Sequence, residues 1–229
     1  ISESIQLAKQ ALAEEEKLET IPPKSGTVAV FYFKDTSPDG SFGHLQKAMA
    51  TMITTDLAQV SALQVLERFR VQFLLSEMQL GQTGIVEETT AARYGHLLGA
   101  ENLIVGTMEP GSLKVNTSVA STSKKEVVGS IAVGSEIEEF YILQKEIVYN
   151  ILKLLRVKFT SLEEMKFSQY HTKSLKAVTY FGQGLEALDA GNRRDARQFF
   201  HRSVKEDPSF KLAVKYRNAS PSAASPSLA

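Results

Sequence analysis

The sequence contains no cysteine. That excludes a disulfide framework and any thiolate metal site. No apolar run approaches the roughly 18 residues of a membrane-spanning helix. Neither sign of charge prevails, because 26 Lys and Arg offset 26 Asp and Glu for a formal net charge of +0. A general nucleic-acid binder usually carries a basic excess, so that class is disfavoured. No charged leader followed by an apolar stretch opens the chain at Ile1, and any targeting signal is expected to have been removed or to lie upstream. Catalytic patterns are also missing. There is no G-x-S-x-G and no phosphate loop with its Lys-Ser/Thr. His44, His96, His171 and His201 show no metal-ligand spacing and are expected at solvated positions. Glu87-Glu88 and Glu138-Glu139 are adjacent pairs that suit the first turn of a helix, where negative charge meets the positive end of the dipole. No enzyme activity, cofactor or resident metal is expected.

What remains is a chain of 229 residues, 43% of them hydrophobic, enough for one good core or two small ones. Its charge is uneven: residues 1–165 hold 15 basic and 21 acidic side chains, and residues 166–229 hold 11 and 5. Ile1, Ile5, Ala8 and Leu12 give residues 1–20 a narrow apolar stripe, so a helix is expected there, ended by Pro22-Pro23. Such a helix would pack on a neighbouring element or be exchanged between protomers.

Thr27 to Phe33 is β-branched and aromatic throughout, the pattern of a central strand. In the loop after it, Asp35, Ser37, Asp39 and Gly40 take positions 1, 3, 5 and 6 of a calcium loop, but Gln46 stands where a bidentate glutamate is needed. An Asx-type turn is the simpler reading. Leu45, Ala48, Met49, Met52, Ile53 and Leu57 trace one helical face, and Ala62 to Leu66 reads as a short strand. Val71, Leu74, Leu75 and Met78 mark another helix, ended near Gly81 and Gly84, where left-handed backbone is easily taken. Ala91, Ala92, Gly95 and Leu98 give a third helix a small-residue side for close approach to a sheet. Leu103-Ile104-Val105 reads as a strand covered on both faces. Leu113, Val115, Thr117 and Val119 alternate with polar residues, and Val127 to Val133 returns as the second arm of a hairpin. A long amphipathic helix follows from Ile137 to Leu155.

The ordered run Glu67-Arg68, Leu74-Leu75-Ser76-Glu77, Gly84, Gly95, Leu98-Gly99-Ala100 and Val105-Gly106 resembles the signature of the CsgG-like domain, named for the curli-secretion lipoprotein of bacterial outer membranes. The resemblance implies an α/β domain over residues 27–157, with a mixed sheet of about five strands packed with helices, similar also to the N-terminal domain of TolB. Glu67, Arg68, Leu74, Glu77, Gly84, Gly99, Ala100 and Gly106 would then be structural signature positions. It further implies a periplasmic, outer-membrane-associated lipoprotein, which would meet the membrane only through a possible lipid anchor outside this chain. The long membrane-inserting hairpins of the curli channel have no room here, because Met108-Glu109-Pro110-Gly111 leads straight into the hairpin and Gly134-Ser135 straight into the last helix.

Residues 160–172 turn polar and read as a connecting segment. Tyr180, Gly184, Gly191, Ala196, Phe200 and Pro208 then fall at positions 4, 8, 15, 20, 24 and 32 of the helix-turn-helix pattern of a tetratricopeptide repeat. Ser203 and Ala187 depart from it. A small all-α unit over residues 174–217 is therefore expected, with a disordered Ser/Pro/Ala-rich tail over 218–229. One such repeat cannot bury its own face, so it must pack on the first domain, on Lys211 to Tyr216, on the N-terminal helix or on another chain. Val178, Phe181 and Leu185 would line the ligand groove of such a repeat, or be covered by flanking helices. Arg194, Arg197, His201 and Lys205 share one side of its second helix, as a solvated face or as a contact for an acidic surface. The expected role is a non-enzymatic interaction or assembly factor for a surface structure or secretion system, with protein partners in the envelope and a possible homo-oligomer. The alternatives are an oligomeric curli-type channel component and an RNA-binding module, the latter because the topology resembles anticodon-binding domains.

Overall fold

The computed structural model describes residues 22–77, 91–109 and 113–219. The expected N-terminal helix, Met78, Gly81, Gly84, Glu87-Glu88 and most of the tail lie outside the described residues. Five strands and eight α-helices follow one another in the described parts of the chain. They are β1 (Lys24–Asp35), α1 (Gly43–Leu57), β2 (Gln64–Val65), α2 (Arg68–Glu77), α3 (Ala91–Leu98), β3 (Ala100–Glu109), β4 (Leu113–Ser121), β5 (Glu126–Ser135), α4 (Phe140–Leu154), α5 (Ser161–Phe167), α6 (Leu175–Asp189), α7 (Arg193–Glu206) and α8 (Lys211–Ala219). The fold class is α/β with a mixed sheet, in the order β2-β1-β3-β4-β5. β1 pairs in parallel with β2 and β3, whereas β3, β4 and β5 form an antiparallel meander.

Residues Val28 to Phe33 are at most 5% exposed, so β1 is covered on both faces. Its alternation assigns the cover. The Phe31 ring meets Tyr94 of α3 at 6.1 Å, while Tyr32, turned to the opposite face, meets Lys47 of α1. Helices therefore lie on both sides of the sheet. Burying one such aromatic or aliphatic side chain contributes about 1.5–3 kcal/mol relative to leaving it in water. The signature glycines are explained locally. Gly99 takes φ +65° between α3 and β3, a conformation that L side chains rarely adopt. A Cβ on Gly106 would overlap the Asn116 carbonyl oxygen and the Phe33 ring. Val71, Leu74, Leu75, Leu98 and Ala100 are all buried, as their spacing predicts.

The loop after β1 is a set of Asx turns. Asp35 Oδ1 accepts from the Ser37 amide at 2.8 Å, its Oδ2 from the Phe42 amide at 2.9 Å, and Asp39 Oδ1 from the Ser41 amide at 3.1 Å.

Residues 160–172 are more structured than their composition suggests. Thr160 and Glu163 form a capping box. The Glu163 amide donates to Thr160 Oγ1 at 3.2 Å, and the Thr160 amide donates to Glu163 Oε2 at 2.7 Å. The helix they start, α5, buries Phe167 against Tyr149 and Phe159 with ring centroids 5.2 and 5.0 Å apart.

α6 and α7 form a helical hairpin whose short link contains Gly191 at φ +78°. A Cβ on Gly184 would overlap the Phe200 ring across the pair. Ser203 is fully buried, and its hydroxyl is satisfied by the Ala177 carbonyl at 2.7 Å. The hairpin lies on α1, so closely that a Cβ on Gly182 would overlap the His44 carbonyl oxygen. A single apolar core runs from the sheet into Phe181, Phe200 and Phe210.

Candidate functional site

Two carboxylates sit in the last turns of helices that meet at this seam, where the negative end of the dipole disfavours them. Both are buried and both are neutralised by other elements. Asp189 ends α6. Lys47 Nζ of α1 lies 2.7 Å from its Oδ2, and Arg68 Nη1, at the start of α2, lies 2.9 Å from its Oδ1. Arg68 Nη1 also donates to the Tyr32 hydroxyl at 2.9 Å, which donates in turn to Gln72 Oε1 at 2.6 Å. The side chains of Arg68 and Asp189 are each 5% exposed. Burial pushes the Tyr32 phenol well above its ordinary range, with Arg68 pulling the other way. For Arg68, burial disfavours the charge, but Tyr32, Asp189 and Tyr216 outweigh it and hold the guanidinium pKa above its usual value.

Asp56, in the last turn of α1, is the second. Its Oδ2 accepts from Lys145 Nζ at 2.5 Å and Gln144 Nε2 at 2.8 Å, both on α4, and His171 Nε2 lies 3.0 Å from its Oδ1. Burial lowers the Lys145 pKa, and Asp56 partly offsets that. His171 is thus not at a solvated position, contrary to expectation, because the α5–α6 connection folds it against Asp56. His44 is exposed and lies 3.0 Å from Glu186 Oε2; His201 is also exposed, and His96 is half-buried.

Beside Arg68 the two helical layers do not close fully. An open groove of about 770 Å³ runs between α1, the β2–α2 junction, the end of α6 and α8. Val65, Phe69, Leu188 and Tyr216 give it apolar walls, and Arg68, Arg193 and Lys215 give it cations. Among the described residues, Arg68 Nε and Nη2 have no hydrogen-bond partner. Through Thr55, Gln59 and Lys215 the groove continues into a smaller pocket of about 360 Å³ that adds Lys166 and Lys211.

The sequence-derived contact residues divide sharply. Val178, Phe181 and Leu185 are 0% exposed. They correct the expectation of a ligand groove on the first helix of the hairpin: α1 covers that helix, while Phe200, Phe210 and Tyr216 pack their rings on Phe181 at 5.7, 5.0 and 5.3 Å. The space over the first helix of the hairpin is filled by the chain itself. Arg194, Arg197 and Lys205 are exposed on α7, on the side away from Ala196 and Phe200, which are buried. Of the signature positions, Arg68 is buried in the ionic seam and Glu67 is exposed beside it, whereas Gly84 lies outside the described residues, as does the side chain of Glu77.

No motif marks Asp189, Lys47, Tyr32 or Asp56. One signal is available: an aspartate in the last turn of an amphipathic helix opposes the dipole, and implies a compensating cation from elsewhere.

Among curated protein sequences, none matches this chain. Among solved structures, the LpoB C-terminal domain from Salmonella enterica is similar at 9% identity, over 54% of this chain and 93% of that one, with a TM-score of 0.41. Lipoprotein GNA1162 from Neisseria meningitidis is similar at 13% identity, over 55% of this chain and 96% of that one, with a TM-score of 0.42. The family described as curli production assembly/transport component CsgG matches residues 8–137. That span is more than half of the sequence and contains the signature run from Glu67 to Gly106, and the chain belongs to the CsgG family.

Proposed function

We propose that this chain is a non-enzymatic protein of the bacterial cell envelope, an interaction or assembly factor for a surface structure or secretion system that works through protein–protein contacts. The family match over residues 8–137 carries this reading. In it the protein is periplasmic and held at the outer membrane as a lipoprotein. No helix of the described residues is long and apolar enough to cross a membrane, which is compatible with anchoring by lipid. The chain is organised as a CsgG-like domain over 27–157 with a tetratricopeptide-like unit over 174–217 fixed against it, and residues 1–20 and 218–229 as flanking segments. Support for the second unit comes from Gly184 against Phe200 and from Ser203 bonded across the hairpin. With the space over its first helix filled, this unit presents its outer face, including Arg194, Arg197 and Lys205, and the cleft it forms with α1.

The test is affinity capture with the full chain as bait on an envelope fraction and on cytosol from the same cells. A protein retained in near-stoichiometric amount from the envelope alone is expected. Retention of nothing, or of the same proteins from both fractions, rejects the reading.

A further inference from the structure

We propose that the groove beside Arg68 is a docking site for an acidic segment of a partner protein, with a carboxylate of that segment received by the free edge of the Arg68 guanidinium. This rests on the interaction-factor reading and gives it a place and a chemistry.

Charge is the first reason. Among the described residues of the buried cluster two cations, Lys47 and Arg68, share the single carboxylate of Asp189, so one positive charge is left over where Arg68 and Asp189 are each 5% exposed. Geometry is the second. Nη1 takes up both Asp189 and Tyr32, while Nε and Nη2 make no hydrogen bond among the described residues, although Tyr216 also acts on the guanidinium and the Phe69 ring lies 4.8 Å from its carbon. A buried donor left unmade costs about 1–3 kcal/mol, and more when charged. The Nε and Nη2 edge of a guanidinium presents two parallel N–H groups that match the two oxygens of a carboxylate.

The surroundings decide what else the occupant carries. Arg193 and Lys215, both exposed, add positive charge, and Glu67 is the sole acid among the described lining residues. Val65, Phe69 and Leu188 require apolar groups next to the acid. The groove is open and continuous with the pocket of Lys166 and Lys211, so its occupant is a stretch of chain and not a compact solute. Segments of this kind bind by laying apolar anchors into a groove with charges at its rim.

The experiment uses the full chain labelled with ¹⁵N and two pooled sets of twelve-residue, end-blocked peptides. Each peptide of the first set has one glutamate among leucines and alanines; the second set has glutamine in its place. The glutamate set is expected to bind at least about tenfold tighter and to move the Arg68 Nε–H resonance. The exposed substitutions Arg193→Glu and Lys215→Glu are each expected to weaken binding several-fold, and Arg68→Lys to abolish the preference for glutamate. Should Arg68→Lys not fold, the two rim variants and the wild-type resonance decide. Equal binding of both sets, or binding unchanged in the double rim variant, overturns the proposal. So does tighter binding of acetate, inorganic phosphate or anionic lipid vesicles than of any peptide. The interaction-factor reading fails separately: a captured envelope protein that the double rim variant still retains removes the docking site alone.

Discussion

The sheet and the seam between it and the C-terminal helices are assembled from different materials. In the sheet, β1 and β3 meet the helices above and below through Val28, Phe31, Phe33, Leu103 and Ile104, with no charged side chain among them. Around α1, two buried carboxylates meet five nitrogen-bearing side chains, Lys47, Arg68, Lys145, Gln144 and His171. Apolar packing tolerates repacking among shapes of similar volume, so it holds elements together without strictly defining their register. A buried ion is unforgiving, since it costs heavily unless its partner stands at one place. The Asp189 pairs thereby tie the helical hairpin to α1 and α2, the Asp56 pairs tie α1 to α4, and Gly182 lets α6 come close enough to α1 for the ions to meet.

Four measurements sharpen or break that contrast. Asp189→Ala leaves Lys47 and Arg68 facing each other without a counter-charge, and a loss of about 4–5 kcal/mol is expected in urea unfolding. A loss below about 1 kcal/mol would show that water enters the seam and that the ions do not orient it. Phe181→Ala opens a cavity where an apolar core is continuous across the seam, and about 4 kcal/mol is expected. If Phe181 instead served an exposed groove, stability would hardly change and partner capture would be lost. Gly182→Ala forces α6 away from the His44 carbonyl, for about 3 kcal/mol, and proteolysis should then release the hairpin before the sheet domain opens.

The smallest effect is electrostatic. The backbone amides of Thr160 and Ser61 hold the Glu163 carboxyl near a pKa of about 2, below its ordinary 4.5. A carboxyl depressed in the folded state stabilises above the unfolded value, and that contribution is lost as pH falls from about 4.5 toward 2. Glu163→Gln should therefore lower the thermal midpoint at pH 6 and flatten its decline between about pH 4.5 and pH 2. Parallel declines in both proteins would disprove the assignment.

The order of strands and helices could be read from residues 27–157 because most elements there have a recognisable hydrophobic pattern. β1 reads as a continuous apolar and aromatic run, β4 alternates, and α1 and α4 repeat at three and four. α5 escapes such a reading because it is only 7 residues long, too short to display a period. Its start, Thr160 with Glu163 three residues on, is nonetheless legible as a capping box. The hairpin at 175–206 is legible from Gly184, Ala196 and Phe200, but its role is not. Whether Phe181 faces a ligand or the interior depends on what lies over it, and that element, α1, stands far earlier in the chain.

By itself, then, the sequence determined most of the described helices and strands, the CsgG signature, and the absence of thiol chemistry. These are local matters, set by periodicity, by backbone freedom at Gly99 and by composition. Tertiary structure alone decided that α6 lies on α1 and that Asp189 meets Lys47 and Arg68 across separations of 142 and 121 residues. It also decided that the inner face of α6 is covered and that a groove opens beside Arg68. The physical reason is that burial and charge pairing are properties of neighbours in space, and no local period records them.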